Sequence, residues 1–260
     1  MTSILLIFLL SGSIALANGA TFPEGRIVGG DSVVANEFPW QVSLRRNIGQ
    51  HFCGGTLIAV RKVLTAAYCV LPYKDTPSSV HVVTGSISLA RGGEYHEVSH
   101  IVAHENYLEG ERDSWRNDIA IVTLASPAAR TPAQSPIAYS DAHTPAGSSA
   151  ITSGWGQTIY PAGNTFPTVL QKYELTILSN IECQKYHPLN TIYEDHICAL
   201  SSRGQGACTG DSGGPLVSDN EVVGITSWVR PCALGYPDVY TRVSSFAKWI
   251  NQHLTDGDST

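Results

Sequence analysis

The sequence predicts an all-β protein, a barrel or sandwich, closed by a single C-terminal helix. Three observations lead there. Short β-rich runs recur between turn residues along the chain. Helical periodicity is legible only near the C-terminus. And 260 residues at 43% hydrophobic and 15% charged supply a buried core for one large β domain or two modest ones, which argues against a disordered or fibrous chain.

The strands are read at Gln41–Leu44, His81–Gly85, His96–Ala103, Ile119–Leu124, Gln171–Leu178, Glu221–Trp228 and Asp238–Val243. A Pro/Ala/Ser segment, Ser126–Pro136, falls near the middle of the chain and suits a linker between two barrels. At the C-terminus Phe246, Trp249, Ile250 and Leu254 share one helical face, with Ser244 or Ser245 placed to cap it. No internal repeat or low-complexity tract interrupts this pattern.

The N-terminus sets the compartment. An apolar run from Ile4 to Leu10 leads into small residues ending Ala15-Leu16-Ala17, the form of a secretory signal peptide over residues 1–17. The run is too short to span a bilayer, and no later stretch approaches the length a membrane helix needs. Secretion turns the six cysteines, Cys53, Cys69, Cys183, Cys198, Cys208 and Cys232, into disulfides. Their wide spacing and the lack of a C-x-x-C pair give no metal site, and no cofactor is expected. Twenty-two acidic against 16 basic residues, a net charge of −6, leave no basic footprint for nucleic acid or an anionic membrane.

The strings that carry chemistry are Arg26-Ile27-Val28-Gly29-Gly30, Cys53-Gly54-Gly55-Thr56-Leu57, Leu64-Thr65-Ala66-Ala67, Asn117-Asp118-Ile119-Ala120, Ser153-Gly154-Trp155-Gly156, Gly210-Asp211-Ser212-Gly213-Gly214-Pro215 and Ser227-Trp228. In this order and spacing they resemble the chymotrypsin/trypsin-like serine proteases, from Ile27 to about Leu254. The resemblance implies two six-stranded antiparallel barrels with a cleft between them. It also implies the pairing Cys53–Cys69, Cys183–Cys198 and Cys208–Cys232. An activation peptide would occupy residues 18–26, with cleavage after Arg26 freeing an Ile27 amine to insert beside Asp211, and residues 27–260 would form the protease unit.

Residue by residue, Ser212 stands where the family carries its attacking hydroxyl, and the Gly210 and Ser212 N–H groups would form the oxyanion hole. Asp118 matches the buried acid. The position of the general base is Tyr68. A serine hydroxyl needs a base to take its proton and later return it to the leaving amine. Imidazole does both near neutrality, whereas a phenol, with a reference pKa of about 10, stays protonated. In another serine protease, loss of the histidine alone lowers turnover roughly 10⁶-fold. His51, His104 and the other seven histidines fall where the family has no catalytic group and read as surface or structural residues. The specificity pocket also departs from the trypsin pattern. Gly206 sits at the base in place of an acid, Val229 narrows one wall, and Asp238 occupies another wall, where it either accepts a basic side chain from the side, poorly accommodated opposite Val229, or is solvated or paired with a neighbour such as Arg230.

These departures give the expectation that the chain is not an enzyme but a secreted, monomeric, inactive protease homologue, most like the inactivated serine protease paralogues of the scabies mite and the group 3 mite allergen trypsins. Such a protein would act by binding host proteins, complement components among them. The alternatives are a weakly active or narrowly specific serine endopeptidase, and a decoy for protease inhibitors.

Overall fold

The computed structural model describes residues 30–46, 49–158, 166–202, 204–230 and 232–255. The signal segment, Arg26 and Ile27 therefore lie outside the described residues.

The first barrel closes in the order β2-β3-β4-β7-β6-β5, with β2 Gln41–Arg46, β3 Gln50–Ala59, β4 Lys62–Thr65, β5 Val80–Thr84, β6 Glu94–Ala103 and β7 Ala120–Leu124. All its pairings are antiparallel. β6 displays the logic of a half-buried strand. His96 and Val98 point inward, then a bulge between Val98 and His100 resets the register so that Ile101 is the next buried side chain.

The second barrel runs β9-β10-β11-β14-β13-β12 and closes through β12–β9. Its strands are β9 Ser149–Gly154, β10 Gln171–Leu178, β11 His196–Leu200, β12 Pro215–Ser218, β13 Glu221–Trp228 and β14 Asp238–Arg242. In β10 the alternation is strict: Gln171, Tyr173, Leu175 and Ile177 are buried between outward residues. Two short strands, β1 Asp31–Ser32 and β8 Ala138–Tyr139, add to β10 and β13. The chain passes from one barrel to the other between Leu124 and Ser149, an interval that contains Ser126–Pro136.

The all-β, double-barrel expectation thus holds, and all three disulfides pair as the resemblance implied. Two local readings change. A second helix, α2 Asn180–Tyr186, follows α1 Ala67–Val70; its N-cap Ser179 accepts from the Glu182 N–H, and seven residues are too few to show a period. The C-terminal helix α3, Ala247–Thr255, is entered through a tight turn at Val243–Phe246 whose cap position is Arg242 and which has no side-chain cap, so Ser244 and Ser245 lie inside that turn. Phe246, Trp249 and Ile250 join the buried cluster of the first barrel, with Leu254 packed against it. No helix among the described residues is long and apolar enough to cross a membrane.

Candidate active site

The loop Gly210–Gly214, between the Cys208–Cys232 disulfide and β12, is built by glycines that leave no room for side chains. Gly213 has φ 80°, and a Cβ there would sit 2.2 Å from Thr65 Oγ1 and 2.7 Å from the Gly54 carbonyl. Gly54 is bare for the same reason: its Cβ would lie 2.9 Å from the Gly214 Cα. This close approach lets the Gly54 N–H donate to the Ser212 carbonyl at 2.8 Å, while the Gly213 N–H donates to Thr226 and the Gly214 N–H to Asp211. The first barrel, through β3, and the second, through β13, therefore both grip the loop that carries Ser212.

Asp211 locks the loop from beneath. Its carboxylate accepts from the Gly156 N–H at 2.7 Å and the Cys208 N–H at 3.0 Å. Burial pushes this carboxyl up to about 6 against those two bonds. The glycines of Ser153-Gly154-Trp155-Gly156 are its cradle, since a Cβ at Gly154 or Gly156 would lie 1.9 or 2.2 Å from its oxygens. Gly210, with φ 102°, presents its carbonyl to His51 Nε2 at 3.0 Å. The other ring nitrogen of His51 bonds Ser43 Oγ at 2.9 Å.

Asp118 is fully buried at the entrance to β7. It accepts from Ser227 Oγ at 2.6 Å and from the Tyr68 backbone N–H at 2.9 Å, and its own carbonyl accepts from Thr241 Oγ1. Burial raises its carboxyl to about 6, opposed by these donors. Tyr68, on α1, is 42% exposed and lines a cleft of about 700 Å³ with His51, Phe52, Phe166, Thr209 and Gly210. Among the described residues Tyr68 reaches Asp118 by its backbone alone. In the pocket region, a Cβ on Gly206 would meet the Ala233 backbone at 3.1 Å and Asp238 Oδ2 at 3.5 Å. Val229 packs against the second-barrel cluster that contains Tyr173, Ala207 and Tyr240.

These features sit in a sequence whose residues 27–250 match the Trypsin family model. The chain is 37% identical over 252 residues to trypsin delta of Drosophila erecta, covering 93% of this chain and 96% of that protein. The chain belongs to the trypsin family. It is also 35% identical over 259 residues to the vitellin-degrading protease of Bombyx mori, covering 98% and 95%. Among solved structures, mouse neuropsin, a serine protease, superposes with a TM-score of 0.79 at 32% identity over 87% of this chain and 99% of that one.

The expectation that the chain is not an enzyme is corrected by these relatives, which carry the names of trypsins at up to 37% identity over nearly the whole length of both chains. It rested on Tyr68 and on the altered pocket positions Gly206, Val229 and Asp238, against which stands the extent of the trypsin-family frame around them. Geometry narrows one further reading and changes another. Of the two roles read for it, surface or structural, His51 has the structural one: it lines the cleft, tied to Ser43 and to the nucleophile loop, and burial lowers its pKa to about 4. Asp238 is neither solvated nor paired with Arg230. It is buried and accepts from the Tyr173 hydroxyl at 2.9 Å and the Ala207 N–H at 2.7 Å, while Arg230 donates to Asn190. Burial raises Asp238 to about 7. Thr65 and Tyr173 were missed altogether. Thr65 stood inside a recognised string, but Tyr173 gives no sequence signal beyond its inward place in β10.

Proposed function

We propose that this trypsin-family chain is a serine endopeptidase, weakly active and narrow in specificity, in which Ser212 is the nucleophile. The observation that carries the reading is the held frame around that residue: a loop gripped from both barrels, and a buried Asp118 with Ser227 as donor. In the reaction the Ser212 hydroxyl attacks the scissile carbonyl, the Gly210 and Ser212 N–H groups receive the oxyanion, and the amine leaves to give an acyl-enzyme. His51 supports this indirectly by fixing the Gly210 carbonyl, and with it the direction of the peptide unit beside the oxyanion. Tyr68 in place of an imidazole makes turnover slow. Val229 against the cluster of Ala207 and Tyr240 favours a small apolar side chain in the primary pocket. Three disulfides suit action outside the cell, after loss of residues 1–17 and cleavage at Arg26.

Labelling with a peptidyl phosphonate, in parallel with Ser212→Ala, tests the reading. Covalent capture of the wild type and none of the variant is expected; equal absence of label in both removes it.

A further inference from the structure

The cleft of about 700 Å³ beside Gly210 is walled by rings from separate stretches of the chain. Phe52 comes from β3, Tyr68 from α1, Tyr73 from the turn Leu71–Tyr73 that follows it, and Phe166 from the segment before β10. Phe52 and Tyr73 meet at 5.7 Å between ring centres, and Phe166 stands edge-on to His51 at 6.4 Å. Phe166 also covers Gly210, where a Cβ would lie 2.7 Å from its ring. The walls are formed but not closed: Tyr68 is 42% and Phe166 38% exposed, and Phe52 and Tyr73 are half-buried. Arg46, at the end of β2, holds its guanidinium over the Phe52 ring, 5.2 Å from the centre. Among the described residues no Asp or Glu lines the cleft, and burial keeps His51 neutral at pH 7, so Arg46 sets its charge. A chain of net charge −6 therefore presents here an aromatic cavity with a positive rim.

We propose that Tyr68 is a specificity-determining residue: with Phe52, Tyr73 and Phe166 it forms a site for an aromatic side chain on the peptide segment that leaves after cleavage, and Arg46 pairs a carboxylate beside that side chain. Gly210 fixes the placement. In the proposed reaction its N–H faces the oxyanion, and the cleft begins at Thr209 and Gly210, so a peptide whose scissile carbonyl sits there runs on into the cleft. Gly206, Val229 and Asp238, the positions of the acyl-side pocket, do not line it, which leaves the amine side. That choice of side rests on Ser212 being the nucleophile; binding in the cleft does not. The chemistry of the walls selects the occupant. A planar ring fits between other rings in offset or edge-to-face contact, and burying one in place of a methyl group strengthens binding about 10-fold or more. The carboxylate follows from Arg46, which is already held against Phe52 and loses little further freedom on pairing. The phenol that slows Ser212 thus also narrows the choice of peptide.

The test uses the mature Ser212→Ala protein, which holds peptides without cutting them, and end-blocked peptides with a small apolar residue on the acyl side. They carry phenylalanine or alanine at the first or second leaving position, with glutamate or glutamine beside it. By titration calorimetry one phenylalanine peptide is expected to bind at least about 10-fold tighter than its alanine counterpart. Adding Tyr68→Phe should keep that difference, whereas Tyr68→Ser should cut it to below about threefold in a protein that melts like its parent; Phe166→Ser gives the same reading where a Tyr68 variant does not fold. Glutamate should bind about two- to fivefold tighter than glutamine, an advantage lost in Arg46→Gln and at high salt. Equal affinity of phenylalanine and alanine peptides, or a difference that survives both Tyr68→Ser and Phe166→Ser, overturns the inference. Equal affinity of glutamate and glutamine peptides overturns the role of Arg46. Cleavage by the wild type that leaves the selected phenylalanine on the acyl fragment overturns the assignment of side. Selective binding without cleavage or phosphonate capture by the wild type upholds the aromatic site and removes the endopeptidase reading alone.

Discussion

Replacing Tyr68 by histidine should raise turnover on small-residue peptides by about 10³-fold or more, equivalent to roughly 4 kcal/mol of barrier. The frame the new imidazole needs is already present. The Asp118 carboxylate is fixed by Ser227 Oγ at 2.6 Å and by the backbone N–H of residue 68 itself at 2.9 Å, a bond that any side chain at 68 retains. The Ser212 carbonyl is pinned by the Gly54 N–H at 2.8 Å, so the nucleophile does not depend on Tyr68 for its place. In another serine protease the same histidine contributes roughly 10⁶-fold; the expected gain is smaller because this cleft is shaped around a phenol. Asp118 ionises near pH 6, so the gain should develop between about pH 6 and 8, where the carboxylate can balance an imidazolium. The assay is kcat on small-residue peptides across that pH range, with the melting temperature measured alongside. A gain below tenfold in a variant that melts like the wild type would refute the reasoning, because it would mean that Asp118 and Ser212 are not disposed to share one imidazole.

Three other perturbations follow from the geometry. Gly156→Ala places a Cβ against the Asp211 carboxylate and breaks its 2.7 Å bond; a stability loss of about 1–3 kcal/mol and slower phosphonate capture are expected, and an unchanged chemical denaturation midpoint would contradict the cradle. His51→Ala strands the Gly210 carbonyl and Ser43, which should destabilise the fold by a similar amount and slow capture at Ser212 without shifting the acid limb of its pH profile, since His51 titrates near 4. Asp238→Asn should become progressively more stabilising, relative to the wild type, as pH rises. The folded pKa near 7 lies above the ordinary carboxylate value, so the native state holds a proton that the unfolded chain has released; wild-type stability from this group is complete below about pH 4 and lost as pH climbs to 7. The difference approaches an upper bound of about 4 kcal/mol at pH 8, and thermal melts of both proteins showing parallel pH curves would exclude it.

The legible parts of this protein are those where local sequence carries the constraint. The β-rich run Gln171–Leu178 and the helical face formed by Phe246, Trp249 and Ile250 are legible locally: the first is a strand and the second joins the buried cluster of the first barrel. The glycines of the recognised strings are legible as a pattern, but their reason lies elsewhere in the chain: Gly213 is bare because of Thr65, Gly54 because of Gly214, and Gly156 because of Asp211. The helix at Asn180–Tyr186 is held by Ser179 and by the Cys183–Cys198 bridge, not by a period long enough to see. The surroundings of Asp238 were illegible for the same reason, since its partner Tyr173 lies 65 residues away on another strand.

By itself the sequence determined an all-β class and the presence of Tyr68 beside intact Asp118 and Ser212 strings, because recurring short β-rich runs and motif order are properties of the chain; the double barrel and the three disulfide pairs came from the family resemblance those strings carry. Tertiary structure decided what surrounds them. It set His51 against the nucleophile loop, buried Asp238 under Tyr173 and left the Tyr68 hydroxyl without a hydrogen bond to Asp118 among the described residues. Each of these depends on strands far apart in sequence being packed to within hydrogen-bonding distance, and a carboxyl's ionisation depends on how fully that packing removes it from water.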